Sequence, residues 1–121
     1  MTIIWITHDL GVTAGLAEKV LVMYSGYIVE KGPVELLYHN PAHPYTKGLL
    51  GSLPGIRMGE EKLLSIEGMP PDMTDLPKGC PFAPRCSYVM EQCIDERPRL
   101  LSVGDMHESA CWIDVMTGKL R

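Results

Sequence analysis

The chain has 121 residues, 45% of them hydrophobic and 21% charged, with 11 basic against 15 acidic side chains and a net charge of −4. That length supports one domain with a real core, or two small units sharing a boundary. The acidic balance, with no aromatic stretch interleaved with Lys or Arg, argues against a nucleic-acid binder. No apolar run approaches the ~20 residues that span a bilayer, and the apolar start Met1–Ile6 lacks the basic leader and small-residue cleavage site of a secretory signal. A cytoplasmic location is the expectation.

In chain order, Thr2–Thr7 is a continuous β-rich run without polar alternation, the pattern of a parallel strand buried on both faces. Asp9 is placed to cap a following helix, whose apolar face would be Leu10, Ala14, Ala17 and Val20 or Leu21. Lys19–Tyr24 reads as a strand, Ser25-Gly26 as a tight turn, and Tyr27–Glu30 as the hairpin partner. Pro33–Tyr38 predicts a short helix with Pro at its first position. Asn40–Pro44 is a loop ahead of a helix over Tyr45–Leu53. Residues 54–62 read as a linker. Beyond it come a short strand at Leu63–Glu67, a Pro70-Pro71 turn, the cysteine region, and two further strands at Leu100–Val103 and Ala110–Val115.

A buried parallel strand needs neighbours on both edges and helices on both faces, and residues 1–53 hold too little to cover Ile3, Ile4, Trp5 and Ile6. The first strand is therefore expected to be part of a larger sheet and, left alone, to pair with another copy of the chain. His8 follows that strand, at the rim where open α/β sheets bind ligands. A histidine there can reach a phosphate oxygen or orient a water, or it can be a loop residue making a structural bond.

The string Thr2-Ile-Ile-Trp-Ile-Thr-His8-Asp-Leu-Gly11, then Ala17-Glu-Lys-Val-Leu-Val-Met-Tyr-Ser-Gly26 and Ile28-Val-Glu-Lys-Gly32, resembles the end of an ABC-transporter nucleotide-binding domain. Asn40-Pro41-Ala-His43-Pro44-Tyr45-Thr46 followed by Leu49-Leu50 narrows the resemblance to the peptide- and nickel-importer branch. The resemblance implies that His8 is the switch histidine that meets the γ-phosphate. His43 reads as a structural loop residue in either case, and His39 has no assigned role. No G-x-x-x-x-G-K-[ST] phosphate loop occurs in the chain, so backbone N–H groups and a lysine to cradle phosphates are missing. ATP and Mg²⁺ are expected only in a longer parent, and the chain alone is not expected to be an enzyme.

All four cysteines lie in the second half, as C-x5-C-x6-C-x17-C at Cys80, Cys86, Cys93 and Cys111. Clustered cysteines in a cytosolic protein are more often metal ligands or redox centres than disulfides. Four thiolates suit Zn²⁺ or an iron–sulfur cluster equally by number. The wide gaps favour a bulkier group over a zinc knuckle, and free buried thiols or two disulfides stay open on spacing alone. The pattern Ile66-Glu-Gly68-Met-Pro70-Pro71, Leu76-Pro-Lys-Gly79-Cys80-Pro-Phe-Ala-Pro-Arg85-Cys86, Cys93, Pro98-Arg-Leu100 and His107…Ala110-Cys111-Trp112 resembles the C-terminal extension of oligopeptide and dipeptide permease ATPases. The resemblance implies that the four cysteines bind a [4Fe–4S] cluster, with zinc or oxidised cysteines expected in aerobic samples. Arg85 and His107 could tune it through hydrogen bonds, but each reads first as a surface or packing residue, and Trp112 is expected in the core.

The resulting expectation is an α/β fragment of an ABC ATPase domain (1–53), a linker (54–62) and a small, loop-rich, metal-stapled α+β extension (63–121). Its partners would be a companion ATPase subunit and two transmembrane permease subunits, with the assembly peripheral on the inner face of the cell membrane. A free-standing iron–sulfur or zinc module is the other reading.

Overall fold

The hairpin Lys19–Tyr24 (β1) and Tyr27–Pro33 (β2) organises the fold. Ser25 (φ 49°) and Gly26 (φ 83°) both take left-handed conformations, as a two-residue turn matching strand twist requires. Along β1 the side chains alternate strictly, with Val20, Val22 and Tyr24 buried and Lys19, Leu21 and Met23 exposed, so one face of the ribbon is core. The computed structural model describes residues 1–53 and 65–121.

Before the hairpin, Leu10–Leu16 (α1) is capped by Asp9, whose Oδ1 accepts from Val12 N–H at 3.1 Å. The helix stops at Leu16, so Val20 and Leu21 belong to β1 rather than to the expected apolar helical face. After β2 come Val34–His39 (α2) and Pro44–Gly51 (α3), with Pro44 opening α3. Tyr38 in α2 donates its hydroxyl to the Leu10 carbonyl and ties α1 down.

The second half adds a 3-10 turn at Ala83–Arg85, the short helix Glu91–Asp95 (α4), and the strands Leu101–Gly104 (β3), His107–Ser109 (β4), Ile113–Asp114 (β5) and Lys119–Leu120 (β6). β4 lies beside β2, pairing Glu30 with Ser109 and Lys31 with Glu108. The main sheet is therefore antiparallel throughout, in the order β1-β2-β4-β3. Its core of Val20, Val22, Tyr24, Val29, Val34 and Leu37 takes in Phe82 from the cysteine region. Tyr24, Tyr45 and Phe82 stack with centroids 4.7–5.5 Å apart, within the favoured range for aromatic pairs. This is a small α/β chain built on an antiparallel sheet, and residues on both sides of the predicted linker share that sheet and core.

Four expectations aside from the linker need correction. Thr2–Thr7 forms no strand: Ile3, Ile4, Trp5 and Ile6 are 66–94% exposed and pair with no described strand, and a lone strand leaves its backbone groups to water. The linker 54–62 and the start of the predicted strand at Leu63–Glu67 lie outside the described residues, and Ser65–Glu67 form no strand. The strand expected over Ala110–Val115 is replaced by β4 before it and β5 within it, with Cys111 and Trp112 between them. Trp112 is half-buried rather than core.

Candidate functional site

The cysteines are positioned by close backbone packing. A Cβ on Gly79 would stand 2.2 Å from the Cys93 carbonyl oxygen and 2.4 Å from that of Ile94, closer than atoms can approach. Glycine alone allows this contact, and with it Cys80 N–H donates to the Cys93 carbonyl at 2.8 Å. The chain then passes through the 3-10 turn, where Cys86 N–H returns to the Ala83 carbonyl at 3.2 Å. Cys93 sits in α4. Cys111 directly follows Ala110, whose N–H donates to the Val29 carbonyl of β2 at 2.8 Å.

All four side chains border one cavity of about 20 Å³, whose other walls include His43, Pro44, Phe82, Pro98, Ala110 and Trp112. That is room for about one water. None of the four is in a disulfide. Two sulfurs accept backbone hydrogen bonds, Cys86 Sγ from Tyr88 N–H and Cys111 Sγ from Ile113 N–H, each at 3.4 Å. Among the described residues no three His, Cys, Asp or Glu side chains close tightly enough to hold a metal ion. The thiols surround a space instead of converging on a point.

Burial pushes the Cys86 thiol up to about 12, and neighbouring thiols add to the effect. Burial also raises Cys80 and Cys111 above the usual thiol range. These three sulfurs are therefore protonated at neutral pH, and any metal that binds them must expel protons. The four thiols form a soft, all-sulfur donor set in apolar walls, with N–H groups already aimed at two sulfurs.

Beside the cavity lies a constellation that sequence reasoning missed. Glu30, fully buried in β2, accepts from Ala42 N–H at 2.7 Å and from His43 N–H at 3.0 Å. Its Oε1 also lies 2.6 Å from His107 Nε2 on β4. A glutamate in the middle of β2 gives no sign in the sequence that it is buried; its partner His107 lies 77 residues away in chain order.

His107 is thus a buried packing residue bonded to Glu30. Arg85 likewise serves packing. It donates to the Glu67 and Ile66 carbonyls at 3.1 and 3.3 Å and to the Tyr24 hydroxyl at 3.3 Å, because the turn points it toward the 65–68 segment. His8 lies in the exposed N-terminal stretch and does not line the cysteine cavity. His39 is exposed and meets the Glu35 carbonyl of its own helix at 2.8 Å. At the far end of the chain, Arg121 donates to the Cys111 and Ala42 carbonyls at 2.8 and 2.9 Å, joining the last cysteine to the loop that carries His43.

Residues 29–93 match the family model described as the C-terminal region of oligopeptide/dipeptide transporters. A peptide import ATP-binding protein of Brucella ovis is 49% identical over 119 residues, covering 92% of this chain and 35% of that protein. The oligopeptide transport ATP-binding protein of Bacillus subtilis is 49% identical over 113 residues, covering 93% of this chain and 32% of that protein. The dipeptide transport ATP-binding protein of Lactococcus lactis is 46% identical over 112 residues, again covering 93% and 32%. The chain spans about a third of the length of the curated relatives it matches.

Proposed function

The chain belongs to the family of oligopeptide/dipeptide transporter C-terminal regions, and on that footing we propose that it is the carboxyl-terminal part of the ATP-binding subunit of a peptide ABC importer. The observation that carries this reading is the family match together with near-50% identity to named peptide-import ATP-binding proteins over nine-tenths of the chain. In this reading residues 1–53 close the nucleotide-binding domain, 54–62 link, and 63–121 form the cysteine extension. His8 acts as the switch histidine once the rest of the ATP and Mg²⁺ site is supplied by the longer subunit. The chain has no phosphate loop of its own and hydrolyses nothing alone.

Cys80, Cys86, Cys93 and Cys111 hold a [4Fe–4S] cluster, a reading supported by four sulfurs round one apolar-walled cavity. When bound, such a group supplies a covalent cross-link and a one-electron couple. The residues of the chain do the rest: three half-buried thiols give up their protons on loading, and Tyr88 and Ile113 N–H groups stabilise the charge on two sulfurs. The role is structural, since a loop-rich unit gains folding free energy from such a staple. A companion ATPase subunit and two permease subunits complete the transporter at the inner face of the membrane. Without them, the exposed Ile3–Ile6 stretch drives self-association.

Anaerobic purification with iron, acid-labile sulfide and zinc quantified per chain tests the site. Iron and sulfide in a one-cluster ratio are expected; zinc alone, or no metal, overturns the cluster. For the transporter role, deleting the cysteine extension from the full-length subunit is expected to impair peptide uptake and pairing of the ATPase subunits. Undiminished uptake and pairing would refute the part assigned to it.

A further inference from the structure

Strand β4 ends at Ser109. Ala110 N–H donates to the Val29 carbonyl at 2.8 Å, and Cys111 then turns off toward the cysteine cavity. The chain on either side of β4 runs on. On one side Tyr27 and Ile28 pair with Tyr24 and Met23 of β1, and no described strand pairs with their other side. On the other side residues 98–100 lead into β3, whose Leu101 faces Ser109. Because β4 separates β2 from β3, those two lines stand about 10 Å apart, twice the strand spacing. Beyond Ala110 this leaves a slot one strand wide.

A cavity of about 260 Å³ occupies the slot, walled mainly by Ile28, Val29, Pro81, Pro98 and Leu100. That is smaller than the ~300–1,000 Å³ of drug-sized ligand sites, and it suits the side chains of an extended segment. Two arginines also border it, Arg97 and Arg99. The half-buried Arg97 guanidinium lies over the Tyr27 ring at 4.1 Å. It donates to the Tyr27 hydroxyl and to the Gly79 and Pro77 carbonyls, the last two at 3.3 and 2.9 Å. All three partners are neutral. Arg99 is exposed, and among the described residues no ion pair engages either arginine. Two cations beside an apolar slot favour an occupant that brings a carboxylate, because arginine–carboxylate hydrogen bonds are about twice as strong as neutral ones.

We propose that this slot is a docking site for an extended segment of a partner protein, inserted in line with β4 as an added strand, with an apolar side chain against Val29, Pro98 and Leu100 and a carboxylate on Arg97 and Arg99. In strand addition the main-chain bonds supply affinity and the side-chain pockets supply specificity. Here the apolar walls select the body of the segment and the arginines select its charge. The slot needs neither metal nor nucleotide, so it stands apart from the cluster and transport readings.

The test titrates the ¹⁵N-labelled, reduced chain with a blocked peptide of valine and threonine that carries one central glutamate, followed by nuclear magnetic resonance. Saturable shifts of the Ile28, Val29, Leu100 and Ala110 amides are expected, and a peptide with glutamine in place of glutamate should bind about tenfold more weakly or worse. Arg97→Gln should weaken the glutamate peptide to a similar degree, and the exposed Arg99→Gln by about two- to fivefold. Shifts confined to other residues, equal affinity for the glutamine peptide, or no shift at millimolar peptide each overturn the proposal. Should Arg97→Gln fail to fold, Arg99→Gln and the two peptides on the wild-type chain decide. Valerate alone reproducing the shifts at the peptide's own concentration would make the slot a small-carboxylate pocket. Shifts of the same amides on dilution of the chain would make its occupant a second copy. Either result overturns the partner segment.

Discussion

Replacing Glu30 with alanine removes the acceptor for two buried backbone N–H groups, those of Ala42 and His43, and for the His107 ring at 2.6 Å. Each orphaned donor costs about 1–3 kcal/mol, but the wild-type carboxylate itself carries a desolvation cost that disappears with the substitution. Measurements on broken buried pairs put the balance at about 3–5 kcal/mol, a large share of the ~5–15 kcal/mol typical of a domain. At this chain length 1 kcal/mol moves the melting midpoint by roughly 4 °C, so Glu30→Ala should melt about 12–20 °C lower. Glu30→Gln keeps one accepting oxygen and sets an NH₂ against another donor, and should cost about 1–3 kcal/mol. The assay is urea and thermal unfolding of the chain by circular dichroism, with a Glu30→Ala/His107→Ala double-mutant cycle to isolate the pair. A Glu30→Ala midpoint within about 0.5 kcal/mol of wild type, the scatter of an ordinary surface substitution, would refute the claim that this residue joins the two halves.

Four further outcomes follow from the same geometry. Gly79→Ala forces the Cys80 loop off Cys93 and Ile94, and should lower iron uptake per chain as well as stability; full uptake would count against the close-approach argument. His43 is held near a pKa of about 3 by burial, so between pH 6.5 and 3 the unfolded chain binds the extra proton and stability falls on acidification, by at most about 1.4 kcal/mol per pH unit. His43→Asn should flatten that slope in urea titrations run at successive pH values. In the metal-free chain Cys86 lies near 12, so the unfolded thiol ionises first as pH rises past its ordinary range; stability should drop in alkali, and metal loading should release protons measurable in a weakly buffered solution. Substituting Ile4 and Ile6 with Lys should shift sedimentation toward monomer, since both are more than 80% exposed; an unchanged distribution would place self-association elsewhere.

Local chemistry carried the parts of the fold that are local. The Ser25-Gly26 turn, the strand at Lys19–Tyr24, the Asp9 cap and Pro44 at the head of α3 are each written within a few residues, and each lies where the pattern puts it. The Thr2–Thr7 run misled because its apolar pattern reads as a buried strand, yet no described strand pairs with it. β4 escaped because His107-Glu-Ser109 is short and polar, and its place in the sheet comes from the strand beside it. At the candidate site, the cysteine spacing singled out the four residues that border one cavity. Glu30 was illegible for the same reason as β4: its three donors come from a loop 12 and 13 residues away and a strand 77 residues away, and no periodicity encodes a meeting of that range.

The β2–β4 seam also sets a rule for recombination. Any crossover between residues 33 and 107 takes Glu30 from one parent and His107 from the other, along with both sides of the Ala110–Val29 bond that seats Cys111. Chimeric subunits made by swapping the cysteine extension between transporters are thus transplants that must match across a buried graft line. They should fold where both donors bring the carboxylate and the imidazole, and fail where only one does, however well the linker is chosen.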